Sequence, residues 1–147
     1  LREMNPGTLI TLMAIAWVSD TAAYFVGRAF GRRKLAPKVS PGKTWEGAAG
    51  AILGSILASW IVLVALRPLL APAGGPGASP AGGWVTHGIV VALFGMAGDL
   101  AESLLKRDLG IKDMGSILPG HGGVLDRIDA LLFVIPAACL YLRVLAI

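Results

Sequence analysis

The sequence is poor in charge, cysteine and histidine. Only 15% of its 147 residues are charged, whereas 55% are apolar, and the mean hydropathy is +0.72. This composition excludes an ordinary soluble globular domain. The single cysteine, Cys139, excludes a disulfide or a cysteine-based metal cluster within the chain. With only two histidines as well, carboxylate oxygens are the main candidate metal ligands, and they favour a hard cation, Mg²⁺ above Zn²⁺.

The apolar residues are gathered into four long blocks, over residues 8–30, 47–67, 84–105 and 128–147. A helix of about 20 residues crosses the roughly 30 Å of hydrocarbon in a bilayer. We therefore predict an all-α, polytopic membrane helix bundle of about four transmembrane helices, forming a single membrane-embedded domain over residues 1–147. Small residues in the second block predict close helix packing there: Gly47, Gly50, Gly54 and Ser55. Because the chain opens with Leu-Arg-Glu, we expect a fragment.

The connections between the blocks differ in charge. The second, RPLLAPAGGPGASPAGG, has Arg67 as its only charge, and the third is charged. The positive-inside rule places the first and third connections in the cytoplasm, which a four-span chain also requires. The net charge of +4 then reports topology, so no nucleic-acid partner is expected. The short loops suggest a bacterial plasma membrane. Against one acid, Glu46, the first connection holds six basic residues: Arg28, Arg32, Arg33, Lys34, Lys38 and Lys43.

Two acids lie inside apolar blocks. Asp20 precedes Arg28 by eight residues, and Asp99 precedes Lys106 by seven, so both lie at a similar depth and could share one cavity. A carboxylate at such depth costs at least about 2.5 to 3.5 kcal/mol, so a partner is expected, either a metal or a base. Helical spacing predicts one polar stripe on the third helix, formed by Asp99, Glu102, Ser103 and Lys106.

Two further acids, Asp126 and Asp129, are one turn apart at the start of the fourth block and share a face. Asp126 also fits a helix N-cap. Carboxylates from separate helices are therefore predicted to converge on a cation.

The connections also contain glycine-rich turns. PGHGG, at residues 119–123, can aim backbone N–H groups of Gly122 and Gly123 at a phosphate, although an ordinary re-entry turn fits as well. His121 either bonds that phosphate or caps the turn. SPGKT is not a P-loop, because Pro37 stands where that motif needs glycine. We predict a tight turn there, and we predict that His87 is interfacial.

Two segments resemble a known family. SLLKRDLGIKDMGSILPGHGGVLDRID, at 103–129, matches the signature S-x-x-K-R-x4-K-D-x-G-x2-L-P-x-H-G-G-x2-D-R-x-D of the CTP:phosphatidate cytidylyltransferase (CDP-diacylglycerol synthase) family. SDTAAYFVGRAFGRRKLAPKVSPGKTWEG, at 19–47, is also similar. The chain thus resembles the carboxy-terminal portion of that family, whose amino-terminal helices it lacks.

The resemblance implies a divalent-metal-dependent nucleotidyltransferase that makes CDP-diacylglycerol and pyrophosphate from CTP and phosphatidate. It implies an active site facing the cytoplasm, Mg²⁺ with room for a second cation, and compatibility with a homodimer. The implied catalytic residues are Asp99, Asp126, Lys106, Arg107 and His121. The implied nucleotide-phosphate or pyrophosphate ligands are Ser40, Lys43, Thr44, Lys112, Asp113, Gly122 and Gly123. The implied metal ligands are Asp99, Asp126, Asp129 and Asp20.

Two alternatives stay open at this stage. The first is a cytidylyltransferase for another lipid phosphate, because the marker residues lie at the phosphates and not at the lipid tails. The second is a proton or cation transporter that uses Asp20 and Asp99 within the membrane.

Overall fold

A computed structural model describes residues 6–65, 83–111 and 125–145. These residues form four helices and a small antiparallel hairpin. Each of the four predicted blocks coincides with one helix, which confirms the all-α bundle apart from the hairpin, whereas the extent of the domain stays a prediction. The elements are α1 (Pro6–Phe30), β1 (Lys34–Ala36), β2 (Ser40–Thr44), α2 (Trp45–Trp60) with a π-helical continuation (Ile61–Ala65), α3 (Gly83–Leu109) and α4 (Leu125–Leu145).

Three helical segments among the described residues are long and apolar enough to cross a membrane. They are Ile10–Phe30, Trp45–Ala65 and Gly83–Leu109. A fourth helix, α4, occupies the block that predicted the fourth span. The chain is therefore an integral membrane protein, with three candidate crossings among the described residues, and its four helices agree with the four predicted blocks.

Small residues let α1 and α2 approach closely. A Cβ added at Gly50 would stand 2.6 Å from Cβ of Val26, and one added at Gly54 would stand 2.5 Å from Cβ of Ala22. Ser19 adds a hydrogen bond of 3.1 Å from its hydroxyl to the backbone oxygen of Ala51. The predicted close packing of the second block is thus confirmed, and its partner is α1.

Buried polar groups join α2 to α3. The Ser55 hydroxyl donates to the Gly88 carbonyl at 2.7 Å, and the Ser59 hydroxyl lies 3.2 Å from Nδ1 of His87. His87 is only 6% exposed, so it packs inside the bundle, and its place at the level of the membrane interface stays a prediction. In a bilayer these groups find few other partners, so such bonds fix the register of one helix on the next.

The apolar core lies towards the end of the bundle that is remote from the hairpin. All four helices contribute to it: Leu12, Ile15, Ala16, Ala58, Val91, Leu131, Val134 and Ala138. Consequently the hairpin end depends on glycine contacts and polar tethers more than on a large apolar core.

The contact between α2 and α3 should tolerate no side chain at Gly88. A Cβ there would lie 2.6 Å from Cα of Ile56 and 2.9 Å from the Ser55 carbonyl oxygen, and backbone atoms cannot move aside. We expect Gly88→Ala to lower the free energy of unfolding by about 1 to 3 kcal/mol, measured as thermal stability in detergent.

Gly95→Ala is the matched control on the same helix. The nearest atom to its added Cβ is Cγ2 of Val134 at 3.7 Å, an ordinary contact. This variant should be as stable as the parent or slightly more stable, because alanine favours the helix by about 0.5 to 1 kcal/mol over glycine. Equal stability of the two variants would contradict the described packing.

Candidate active site

The connection between α1 and α2 is a hairpin, where a tight turn was predicted. Lys34 pairs with Thr44 and Ala36 pairs with Ser40, with an irregularity between them. The backbone N–H of Val39 donates to the Ala36 carbonyl at 3.2 Å, which closes a turn with Pro37 at its second position. The SPGKT segment itself is strand β2, so its side chains alternate between the two faces of the hairpin.

The side chain of Thr44 is buried among three glycines and holds the hairpin there. It is 6% exposed, and its hydroxyl oxygen accepts a hydrogen bond of 3.1 Å from Gly47 N–H, which caps α2. A Cβ added at Gly27, Gly31 or Gly47 would come within 2.9 to 3.1 Å of that oxygen. Thr44 therefore stabilises the local fold. Its predicted contact with a nucleotide phosphate stays a prediction.

Glu46 holds the chain at the start of the other strand, β1. Both of its carboxylate oxygens lie 3.3 Å from the backbone nitrogen of Arg33, which donates to them, and the backbone N–H of Trp45 donates to the Arg33 carbonyl at 3.0 Å. A two-stranded hairpin is marginal on its own in water. These bonds tie its open end to the first turn of α2.

Two further contacts dock the hairpin on α3. The ammonium of Lys43 lies 2.5 Å from Oδ2 of Asp99, and Nε of Arg107 donates to the Val39 carbonyl at 3.2 Å. The step from Asp99 to Arg107 rises about 12 Å along a helix, and the step from Val39 to Lys43 spans about 13 Å of strand. The two lengths match, so β2 runs antiparallel to the last turns of α3.

The polar stripe of α3 contains charged side chains that are buried or partly buried. Glu102 is 8% exposed, and its carboxylate lies 3.2 Å from the ammonium of Lys106, one turn further on. Asp99 and Lys106 are partly buried, whereas Leu104 and Leu105 are exposed on other faces. Two carboxylates and two ammonium groups therefore lie along a short stretch of helix, where a phosphate or a cation can exchange partners with them.

The surface above this stripe is cationic. The chain between α1 and β2 carries four exposed basic residues, Arg32, Arg33, Lys34 and Lys38, and Arg107 of α3 is exposed beside it. The exposed acid that follows Arg107 directly on α3 is Asp108. Such a surface attracts anionic ligands, including phosphorylated ones.

An apolar groove runs between α2 and α3 on the same side of the bundle. Each helix lines it with residues at i, i+3, i+4 and i+7 spacing, and Leu35 of β1 also lines it. From α2 these are Trp45, Ala48, Ala49 and Ile52, and from α3 they are Leu93, Met96, Ala97 and Leu100. Because Trp45 follows Lys43 closely and Leu100 follows Asp99, the groove begins at the level of the ion pair. An amphiphile whose apolar chain lay in this groove would therefore place its charged group beside Lys43 and Asp99.

The residues of the site fit a divalent cation in their chemistry. Asp99 offers hard oxygen ligands, its side chain is 39% exposed, and a positive group already lies against it. Within the described ranges no three His, Cys, Asp or Glu side chains are grouped closely enough to hold a metal ion. A complete site therefore needs ligands beyond these, and the predicted ligands Asp126 and Asp129 have side chains outside the described part of the chain.

The other predicted site residues fall into three groups. Ser40 lies in β2 and is partly buried; Asp20 lies on α1, is exposed and has interactions of its own. Lys43, Asp99, Lys106 and Arg107 are brought together along the hairpin and α3, as described above. The remaining predicted residues lie outside the described residues: Lys112, Asp113, His121, Gly122 and Gly123.

Sequence reasoning missed the positioning role of Glu46. An acid in the first turn of a helix is favoured by the helix dipole, which was the available signal. Nothing in the spacing indicated that its carboxylate accepts from Arg33, because that contact depends on the strand pairing. The carbonyl of Val39 was missed for the same reason.

Comparison with known proteins gives a family and a fold. The cytidylyltransferase family matches residues 2–145. The chain is 41% identical over 128 residues to the phosphatidate cytidylyltransferase of Haemophilus influenzae, covering 87% of this chain and 43% of that protein. It is 46% identical over 123 residues to the enzyme of the same name from Bacillus subtilis, covering 83% of this chain and 42% of that protein. The chain thus spans less than half the length of these relatives.

Other matches agree. The phosphatidate cytidylyltransferase of Brucella suis is 45% identical over 141 residues, which covers 92% of this chain and 46% of that protein. A solved structure of an intramembrane enzyme for archaeal membrane lipid biosynthesis superimposes with a TM-score of 0.65 at 24% identity, over 92% of this chain and 78% of that one. That likeness supports the fold. The match over residues 2–145 shows that this chain belongs to the cytidylyltransferase family.

Proposed function

We propose that this chain carries the catalytic core of an enzyme that transfers CMP from CTP to phosphatidate. The observation that carries the proposal is the Lys43–Asp99 ion pair, held at 2.5 Å between a cationic hairpin and the polar stripe of α3. Relatives named phosphatidate cytidylyltransferase, at 41% to 46% identity, support the choice of substrates.

The reaction is a substitution at phosphorus. A phosphate oxygen of phosphatidate forms a bond to the α-phosphorus of CTP, the bond between that phosphorus and the α,β-bridging oxygen breaks, and pyrophosphate leaves with the electron pair. The phosphate monoester is already an anion near neutral pH, so no protein nucleophile is needed. Catalysis then rests on positioning two anions and neutralising their charge.

The described residues suit that task. In this proposal Lys43 and Lys106 bind phosphate oxygens, and Arg107 holds the hairpin in place through Val39. Asp99 would hold Mg²⁺ together with Asp126, Asp129 and Asp20, and Mg²⁺ when bound would neutralise the phosphates and the leaving pyrophosphate. The ligands that we propose in the remaining loop are Lys112, Asp113, His121, Gly122 and Gly123.

The apolar groove between α2 and α3 provides a place for a lipid tail. Its walls are apolar side chains, and it begins at the level of the ion pair, so an amphiphile could put its phosphate at Lys43 and its acyl chain in the groove. In our proposal the hairpin end faces the cytoplasm of a bacterium, which the positive-inside rule supports. A transporter function gains nothing from this geometry, because Asp99 is neutralised by Lys43 of the hairpin.

The activity test uses full-length protein in detergent with radiolabelled CTP, Mg²⁺ and, in parallel, phosphatidate, other lipid phosphates and polyprenyl phosphates. We expect CDP-diacylglycerol and pyrophosphate with phosphatidate. Asp99→Asn and Lys43→Met should each lower kcat by about a hundredfold or more, because each removes charge stabilisation of the transition state. Asp108→Asn, an exposed acid on the same helix, should keep its activity. Product formed only with another lipid phosphate would contradict the proposed acceptor.

A larger side chain in the groove should raise the KM for the lipid substrate and leave the KM for the nucleotide unchanged. Ala97 is exposed and lines the groove, so Ala97→Phe should raise the KM for long-chain phosphatidate several-fold and leave the KM for CTP unchanged. Short-chain phosphatidate should suffer less. Leu57→Phe is the control, because Leu57 is 57% exposed and does not line the groove. Equal effects of both variants on the lipid would remove the groove from the proposal.

A further inference from the structure

The carboxylate that we propose as a metal ligand already has a cation against it. The ammonium of Lys43 is buried and lies 2.5 Å from Oδ2 of Asp99. An ammonium and a divalent cation are attracted by the same oxygen atoms, so both cannot hold this position at once. The pair also joins two different elements, so its rupture frees a lysine that belongs to the hairpin.

We propose that Lys43 is a place-holder that neutralises Asp99 until a divalent cation replaces it, and that nucleotide phosphates then take the released ammonium. The nucleotide part rests on the proposed function. A buried charge left without a partner is strongly unfavourable, so metal alone must bind weakly. An incoming triphosphate supplies the missing partner. Metal and nucleotide therefore bind cooperatively, and by linkage each raises the affinity for the other by the same factor.

The hairpin is built so that this exchange needs only a side-chain movement. Thr44 is fixed among glycines, Glu46 holds the backbone of Arg33, and Arg107 holds the carbonyl of Val39. These contacts remain when Lys43 leaves Asp99. The flexible four-carbon stem of lysine lets the ammonium swing while the backbone stays in place.

Asp99 and Glu102 are each paired with a different ammonium group. Glu102 has its own ammonium, that of Lys106 at 3.2 Å, on the same helix. The ammonium that neutralises Asp99 comes instead from Lys43 of the hairpin. Its neutralisation is therefore the one that a ligand bound at the hairpin can change.

The test is Mn²⁺ binding to the full chain in detergent without nucleotide, followed by the loss of the free-ion electron paramagnetic resonance signal. Lys43→Met should bind Mn²⁺ about tenfold tighter than the parent, within the usual range of coupling between sites. Lys38→Met, which removes the same charge from an exposed position on the hairpin, should leave the affinity within about twofold of the parent. Asp99→Asn should abolish the tight site.

Further variants guard against misfolding. Lys43→Arg keeps the charge and should bind Mn²⁺ as weakly as the parent, whereas Lys43→Gln should behave as Lys43→Met. A non-hydrolysable CTP analogue should tighten Mn²⁺ binding by a clearly larger factor in the parent than in Lys43→Met, once the Mn²⁺ bound by the analogue alone is subtracted. Unchanged or weaker Mn²⁺ binding in both neutral variants, with Asp99→Asn still eliminating the site, would overturn the place-holder role.

The two proposals fail in distinguishable ways. If the protein makes no CDP-lipid but the neutral variants bind Mn²⁺ tighter, the exchange at Asp99 holds and the proposed function does not. If the protein makes CDP-diacylglycerol and Mn²⁺ affinity is the same with and without the Lys43 charge, the proposed function holds and the place-holder does not.

Discussion

A carboxylate within a membrane helix must be neutralised, and the structure meets this constraint at Asp99 by bringing in Lys43 from another element. An unpaired charge within a membrane span is unfavourable, and the Lys43 ammonium supplies the partner that Asp99 needs. The hairpin that brings Lys43 to this position is held by Thr44 among glycines, by Glu46 at the backbone of Arg33 and by the bond from Arg107 to Val39. The cationic surface follows from that placement, whereas the groove is formed by α2 and α3 with Leu35 of the hairpin added.

The glycines of α1 and α2 make this placement possible. Lys43 lies directly before Thr44, and Thr44 is buried where Gly27, Gly31 and Gly47 leave room for its side chain. A residue with a Cβ at any of these positions would move the end of α1 or the start of α2, and Lys43 would move with them. Helix packing and site geometry are thus one problem at this end of the bundle. At the other end, the apolar core and the Ser55 and Ser59 contacts hold the helices independently.

Much of this architecture was predictable from the pattern of residues. The helices follow from apolar blocks of spanning length, and the inward stripe of α3 follows from the spacing of Asp99, Glu102 and Lys106. The hairpin was not predictable, because its strands are only three and five residues long and β2 contains Pro41 and Gly42, which disfavour strands. Proline fits there because a two-stranded hairpin leaves one edge unpaired. A base was one of the two predicted partners of Asp99, but its identity as Lys43 could not be predicted, since the two residues lie far apart in the chain. The contact between His87 and Ser59 could not be predicted either, because the position of His87 in its span gave no indication that Ser59 would face it.

The central claim is that Lys43 and Asp99 stabilise the fold as a pair, and a double-mutant cycle measures this directly. The free energy of unfolding in detergent would be determined for the parent, Lys43→Met, Asp99→Asn and the double variant. The account predicts an interaction energy of about 1 kcal/mol or more, with the double variant more stable than the sum of the single losses implies. Single losses that add to within about 0.3 kcal/mol would show that the two side chains do not interact, and would contradict the account.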